Sequence, residues 1–170
     1  TNTGGAWLCQ HLYQHYLYNN DIEYLKEIYP TLKGAAQFFN SVMIEERSHS
    51  WLVTAPTSSP ENSFYLSDGR VASVCMGPTM DIQIITELYN NVIESSEILN
   101  IDNDFADSLR NALKRFPPMQ ISEDGYLQEW LEDYEEPEIH HRHVSHLFGL
   151  HPGRLITKTK TPEFYEACKI

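Results

Sequence analysis

A stiff segment that cannot be helical, Ala55-Pro56-Thr57-Ser58-Ser59-Pro60-Glu61-Asn62, places a carboxylate beside an amide. Pro56 and Pro60 fix φ and push the residue before each of them towards extended geometry, although helical patterns lie on both sides. Catalytic groups are often presented on loops that a rigid scaffold holds in place. Glu61 is therefore the leading candidate for chemistry, as a general acid whose pKa an apolar, partly closed loop would raise.

Simpler interpretations of the same two residues stay open at this point. Glu61 could be a solvated loop carboxylate, or it could cap the turn that follows Pro60. Asn62 could bind a substrate hydroxyl, or its side chain could only form an Asx turn with the backbone. Residue types and spacing do not separate these alternatives.

A second polar and aromatic cluster, Gln128-Glu129-Trp130, follows a turn at Asp124-Gly125. An aromatic face beside carboxylate and amide groups suits a sugar, because the ring stacks on C–H bonds and the polar groups bond hydroxyls. The alternative is a hairpin that packs Trp130 into the core and leaves Glu129 in solvent.

Histidines form a third cluster, since five of the eight in the chain lie between residues 140 and 151. His143 and His146 stand one helical turn apart with His141 close by, which would suit a metal-dependent hydrolase. However, the charge of Arg142 would oppose a cation, and no acidic residue stands at a metalloprotease spacing. Neutral histidines that bond substrate hydroxyls, or that pair with the acidic stretch at 132–138, are the favoured interpretation.

Helical spacing of apolar residues dominates the chain and predicts about seven short helices in an antiparallel array. They cover residues 6–18, 22–29, 31–45, 80–99, 105–116, about 144–150 and a last stretch that begins at Pro162. In the first helix Leu8 and Leu12, with Cys9 or Tyr16, form the apolar face, and Pro30 opens the third helix. A short strand at 51–53, a turn at 67–69 and a hairpin over 119–130 interrupt the helices.

Composition limits the classes of function. The chain has 170 residues, 41% of them hydrophobic, which is enough for one domain with a real core. A net charge of −12 argues against nucleic acid, whose phosphates bind Lys and Arg. No run of 18 apolar residues exists, so no membrane span is expected. The chain begins without Met and both ends are abrupt, so we expect a fragment of a longer protein.

Five motifs, in order along nearly the whole chain, together resemble glycoside hydrolase family 95. They are Gly4-Gly5-Ala6-Trp7-Leu8, the segment ending in Ser59-Pro60-Glu61-Asn62, Gly77-Pro78-Thr79-Met80-Asp81, Leu127-Gln128-Glu129-Trp130 and His141-Arg142-His143-Val144-Ser145-His146-Leu147. The resemblance implies an all-α fold in which residues 1–170 form part of an (α/α)6 barrel whose N- and C-terminal portions are missing. The family comprises inverting α-L-fucosidases, mainly acting on α-1,2-linked fucose, and some α-L-galactosidases.

The resemblance also implies roles for particular residues. Glu61 corresponds to the general acid of the family, whereas the asparagines and the aspartate that activate its water have no counterpart in this chain. The fragment alone should therefore lack turnover, and Glu129 should not be taken as the base. The implied sugar contacts are His141, Arg142, His143 and His146, with Trp7, Glu129 and Trp130 as weaker candidates. Asn62 joins this list as a substrate-binding candidate because it stands beside Glu61.

The expected protein is thus an exo-acting α-L-fucosidase that needs no metal and no organic cofactor. Its expected partners are a fucosylated oligosaccharide and the remainder of its own barrel, and the resemblance implies an extracellular or periplasmic setting. An α-L-galactosidase of the same family is one alternative. A helical protein that binds sugar through Trp7, Trp130 and the histidines without hydrolysing it is another.

Overall fold

The computed structural model describes residues 2–170, and helices dominate it. Its helices are α1 (Gly4–Asn19), α2 (Ile22–Val42), α3 (Thr79–Leu99), α4 (Asn103–Leu113) and α5 (Pro162–Ala167), with a 3₁₀ turn at Ser145–Leu147. Its strands are β1 (Ile44–Glu45), β2 (Leu52–Val53), β3 (Phe64–Tyr65) and β4 (Val71–Ala72), which pair antiparallel as β1–β2 and β3–β4. The prediction of a helix-rich fold with only small sheets is confirmed.

Helix α3 is the centre of the fold, because α1, α2 and α4 all pack against it. Its residues Ile84, Ile85, Leu88, Tyr89 and Val92 are almost completely buried. The same core cluster takes in side chains from α1 and α2, among them Tyr13, Leu25, Leu32 and Phe39. Burial of one such aliphatic or aromatic side chain contributes about 1.5–3 kcal/mol, so this cluster holds the helices together.

The predicted helix break at Pro30 is wrong, because α2 runs through this residue from Ile22 to Val42. Pro30 is exposed, so its ring and its missing N–H lie on the solvent side of the helix. Leu25, Ile28 and Leu32 on the opposite side are buried before and after it. Their packing offsets the cost of an interior proline, which is about 3 kcal/mol.

The apolar face predicted for the first helix is only partly right. Tyr13 and Tyr16 are buried together with Cys9, but Leu8 is 66% exposed. The buried stripe of α1 also takes in Gln10, whose amide donates to the carbonyl of Pro152, so the inner face is set by tertiary partners. Leu8 lies beside this stripe, on the rim of a depression described below.

Two further predictions from local pattern are also revised. Residues 144–150 form only the 3₁₀ turn, because the N–H of Gly149 donates 2.8 Å to Oε1 of Gln83 instead of continuing a helical ladder. Glycine allows this close approach, because a Cβ at position 149 would lie only 3.0 Å from the Gln83 side chain. The hairpin over 119–130 is a single bridge, Ile121 to Leu127, around a turn at Gly125, whose φ is +91°.

Other local predictions hold. The strand expected at 51–53 is observed as Leu52–Val53, and the turn at 67–69 joins β3 to β4 through Gly69, whose φ is +82°. Helix α5 begins at Pro162 as predicted. In the described part of the chain no helix is both long and apolar enough to cross a membrane.

Asp81, in the first turn of α3, fixes the positions of the segments around it. Its carboxylate is completely buried and accepts hydroxyl hydrogen bonds from Thr54 and Thr57 at 2.8 Å and from Thr3 at 3.2 Å. Burial raises the pKa of Asp81, although the three hydroxyls act in the opposite direction. The start of α1 and the loop before Glu61 are thereby attached to the same end of α3.

Replacement of Asp81 by Ala should lower the free energy of unfolding by roughly 2–4 kcal/mol, because three buried hydroxyls lose their acceptor. Denaturant unfolding would measure the change. Asp107→Ala is the matched control, since Asp107 is exposed on α4 and pairs only with Arg110; its effect should stay within about 0.5 kcal/mol. Equal stability of the Asp81 and Asp107 variants would show that the hydroxyl contacts contribute nothing net.

Candidate active site

The loop that carries Glu61 is fixed at both ends by hydrogen bonds. Thr57 and Cys75 exchange backbone hydrogen bonds of 3.0 and 2.8 Å, while the Thr57 hydroxyl donates to Asp81. At the other end the N–H of Asn62 donates 2.8 Å to the carbonyl of Ser59 and closes a turn around Glu61. The sequence prediction of a rigid non-helical loop is therefore confirmed.

Glu61 projects from this turn towards two residues of the histidine-rich segment. Its Oε2 accepts a hydrogen bond from Nη2 of Arg142, and Nε2 of His143 lies 3.8 Å from the same oxygen. Nε of Arg142 also donates 2.9 Å to Nε2 of His143, which requires the His143 proton to be on Nδ1. Because the Glu61 side chain is 63% exposed, this contact orients the groups rather than stabilising the fold.

A depression with a volume of 530 Å³ lies next to Glu61. Pro60 and His143 form the side nearest to Glu61, and Trp7 and Leu8 of α1 line it as well. Trp7 is supported from behind by Phe148, whose ring centroid lies 4.8 Å away in an edge-on arrangement. The structure thus places Arg142 and His143 at the Glu61 carboxylate, and Trp7 in the wall of the depression that Pro60 and His143 also line.

Asn62 is buried, and both the nitrogen and the oxygen of its side-chain amide are hydrogen-bonded. Nδ2 donates to Oε2 of Glu129 at 3.0 Å and to Oε2 of Glu136 at 2.8 Å, while Oδ1 accepts from the N–H of Ser63. Asn62 and Glu129 are each 3% exposed. In this chain both side chains therefore face each other rather than the depression.

Trp130 packs into the core, as the alternative interpretation of its cluster predicted, but Glu129 does not lie in solvent. Trp130 is 3% exposed and packs on Phe64 at 5.1 Å between ring centroids. Glu129 was expected in solvent if Trp130 entered the core, yet both are buried. The reason is that Glu129 finds an amide donor in Asn62, which allows a carboxylate to leave water.

The pKa values of the two carboxylates that flank Asn62 are shifted in opposite directions. Burial alone would raise the pKa of Glu129, but contacts with His146, Ser59 and Asn62 outweigh it and lower the pKa. Burial raises the pKa of Glu136, and the charge of Glu129 adds to that, against the hydrogen bond from Asn62. The surroundings of Glu129 thus favour its ionised form, whereas those of Glu136 oppose ionisation.

The histidines divide between two environments. The rings of His141 and His143 lie 5.4 Å apart near the surface, whereas Nδ1 of His146 lies 3.3 Å from Oε2 of Glu129, close but not aligned for a hydrogen bond. Within residues 2–170 no group of three or more His, Cys, Asp or Glu side chains is arranged to hold a metal ion. The interpretation as a metal-dependent hydrolase gains no support from this geometry.

Glu136 is the residue of this site that the sequence analysis did not single out. It belongs to an acidic stretch in which Glu135 and Glu138 have the same side chain, so residue type gives no distinction. Only the return of the chain after Trp130 brings Glu136, and not its neighbours, to Asn62. No signal in the single sequence would have identified it.

Together these features define a helical domain that presents an exposed carboxylate from a rigid loop, beside an Arg–His pair and an aromatic wall. The whole chain, residues 1–170, matches the model of the glycosyl hydrolase family 95 catalytic domain. The chain therefore belongs to glycosyl hydrolase family 95, as the motifs had indicated.

Curated relatives agree with this family. The chain is 46% identical over 166 residues to Alpha-L-fucosidase 2 of Arabidopsis thaliana, a match that covers 96% of the chain and 20% of the relative. It is 31% identical over 157 residues to Probable alpha-fucosidase A of Aspergillus niger, covering 89% of the chain and 19% of the relative. The chain thus spans about a fifth of the length of these relatives.

The lowered pKa of Glu129 predicts a particular pH dependence of stability. A carboxylate whose pKa is lower in the folded state stabilises the fold above its ordinary pKa of 4.5, and this contribution disappears as the pH falls through the folded value. Glu129→Gln should therefore lower the free energy of unfolding at about pH 7, and the difference from wild type should be smaller at about pH 3.

Denaturant unfolding at both pH values would measure this dependence, with Glu135→Gln as the control. Glu135 is exposed, and none of the described side chains bonds its carboxylate. A difference between wild type and Glu129→Gln that grows on acidification would contradict the assignment of Glu129 as the ionised carboxylate.

Proposed function

We propose that this chain supplies the general acid, Glu61, and part of the sugar pocket of an exo-acting, inverting α-L-fucosidase that releases α-1,2-linked fucose. The observation that carries the proposal is the exposed Glu61 carboxylate, held on a rigid loop beside Arg142 and His143. The relatives named alpha-fucosidases and the family of glycosyl hydrolases supply the reaction class.

In the proposed reaction Glu61 donates its proton to the glycosidic oxygen, and the bond from that oxygen to the anomeric carbon breaks. A water molecule attacks the anomeric carbon from the opposite face and loses a proton to a base. Inverting sites separate acid and base by roughly 6.5–9.5 Å so that this water fits between them. The water-activating residues implied by the family resemblance lie outside this chain, so the chain alone should not turn over.

Arg142 has a place in this scheme because it donates to one oxygen of the Glu61 carboxylate and so orients the acid. An acid donates only from its protonated form, so Glu61 must take up a proton before the glycosidic bond breaks. Sugar hydroxyls are good acceptors for guanidinium and imidazole N–H groups, so a bound fucose can take over Arg142 and His143. His141, next to His143, would extend the same polar wall.

The proposal includes the rest of a barrel around this chain. Several large apolar side chains of the helices are exposed, among them Tyr18, Ile22 and Phe38. In an (α/α)6 barrel such faces would contact further helices, and residues 1–170 would be one segment of the catalytic domain. Isolated from it, these faces would favour self-association.

Replacement of Glu61 by Gln in the full-length enzyme should lower kcat for an α-1,2-fucosylated oligosaccharide by about 10²–10⁴-fold. An activated aryl α-L-fucoside should lose much less, because its leaving group departs without protonation. Fucose release from both substrates would be measured, with Glu138→Gln as control, an exposed carboxylate of the acidic stretch. Near-normal rates of Glu61→Gln on the oligosaccharide would reject the acid assignment.

The wild-type arm of this experiment tests the substrate class. If the wild type releases no fucose from the oligosaccharide, the α-1,2-fucosidase proposal fails, and L-galactosides become the next substrates to assay. If no sugar is released from either but calorimetry detects binding of L-fucose, the protein binds sugar without hydrolysing it.

The lining of the depression supports fucose over L-galactose. Leu8, Trp7 and Met80 give it apolar surface close to Glu61. The two sugars differ by a hydroxyl at C6, and an apolar wall suits the methyl group of fucose. One such group changes discrimination by only about 1–3 kcal/mol, so the expected preference is graded rather than absolute.

Leu8→Ser should therefore reduce the ratio of kcat/KM for aryl α-L-fucoside to that for aryl α-L-galactoside by about 5- to 50-fold. Leu8 is suited to this test because it is 66% exposed, so its replacement should not disturb the core. Ile98→Ser is the control, since Ile98 is also an exposed apolar residue but lies near the far end of α3. An unchanged ratio in Leu8→Ser would exclude this wall from sugar selection.

A further inference from the structure

We propose that Glu129 and Glu136 are positioning residues for the general acid, which they hold in place through Asn62. The inference rests on the proposed role of Glu61 and extends it to two carboxylates that do not touch the sugar. Asn62 joins the loop with Glu61 to the chain after Leu127, and Glu129 in turn lies beside His146 of the histidine-rich segment.

The first step of the argument is that the Asn62 side chain has one orientation only. Its amide has two N–H donors, and each of them faces a different carboxylate, at 3.0 Å for Glu129 and 2.8 Å for Glu136. Its oxygen accepts from the N–H of Ser63 at 2.8 Å. An amide that turned over would place its oxygen against two carboxylates, so the observed orientation is strongly preferred.

The second step connects this orientation to Glu61. Asn62 is the next residue in the chain, and its own N–H closes the turn with Ser59, so a shift of Asn62 displaces the Glu61 backbone. The opposite side of the turn is also held, since the hydroxyl of Ser145 donates to the carbonyl of Pro60. The side chain of Glu61 is exposed and has no buried contact that would fix it directly.

The third step is that Glu129 can act only through other residues. Its side chain is 2% exposed, so it cannot reach a sugar in the depression. Its Oε2 faces both Asn62 and, at 3.3 Å, Nδ1 of His146. Glu129 therefore links the acid loop to the segment that carries Arg142 and His143, the groups that surround the Glu61 carboxylate.

A network that only stabilised the fold would give a different kinetic result from one that places the acid. Loss of general stability or of sugar binding affects all fucosides alike. Misplacement of the acid affects substrates that need protonation and spares activated aryl fucosides. Misplacement of a reacting group by 1 Å can cost about 10²-fold in rate.

The test uses the full-length enzyme with Glu136→Ala, Glu136→Gln and Glu129→Gln. Glu136→Ala should lower kcat for the α-1,2-fucosylated oligosaccharide about 10- to 100-fold, with KM nearly unchanged and the aryl fucoside rate within about 3-fold of wild type. Glu136→Gln should recover most of this loss, because its amide oxygen can still accept from Asn62. Glu129→Gln also keeps an oxygen for Asn62, so it should lose less than Glu136→Ala on the oligosaccharide and spare the aryl fucoside in the same way.

Glu135→Ala is the matched control, because Glu135 is adjacent, exposed and not bonded to Asn62; it should keep both rates. Glu136 lies only partly buried, so its variants decide the question even if Glu129→Gln does not fold. Equal losses on both substrates, or no loss on the oligosaccharide, would overturn the positioning role.

The same assay separates this inference from the proposed function. If Glu61→Gln depends on the leaving group and the Glu136 variants do not, Glu61 is the acid and the positioning role alone is rejected. If Glu61→Gln shows no such dependence, the acid assignment is wrong and the positioning role falls with it.

Discussion

Asp81 is the constraint on which the positions of the other parts depend. A carboxylate at the first turn of a helix is favoured by the helix dipole, but complete burial there is costly unless donors replace water. Three threonine hydroxyls do so, and they come from the start of α1 and from the loop that leads to Glu61. A single buried carboxyl group therefore fixes where both segments lie against α3.

The same helix anchors the segment after the histidines by a second row of polar side chains. Gln83, Glu87 and Asn91 are spaced by four residues, so they lie along one side of α3, and all are buried. Gln83 accepts from Gly149, while Glu87 and Asn91 accept from the guanidinium of Arg154 at 2.8 and 2.7 Å. The histidine-rich segment is thus hydrogen-bonded to α3 at Gly149, and His146 in its middle lies beside Glu129.

Sequence reasoning succeeded where local chemistry decides the outcome. Two prolines were enough to predict the rigid loop around Glu61, and apolar spacing was enough to locate α3. It failed where distant partners decide: packing of α2 against its neighbours overrides Pro30, and the Gln83 contact replaces a helix at Gly149. For the same reason Glu136 could not be distinguished from Glu135, because only the folded chain brings one of them to Asn62.

The arrangement assigns different tasks to chemically identical side chains through exposure and partners. A proton donor must be reachable by the substrate, and Glu61, the proposed donor, is exposed with a partner, Arg142, that is itself on the surface. A carboxylate that holds a loop needs partners that replace water, and those of Glu129, Asn62 among them, lower its pKa despite burial. Because Glu61 and Glu129 have the same side chain, their different tasks come only from the exposure and the partners that the surrounding loops give them.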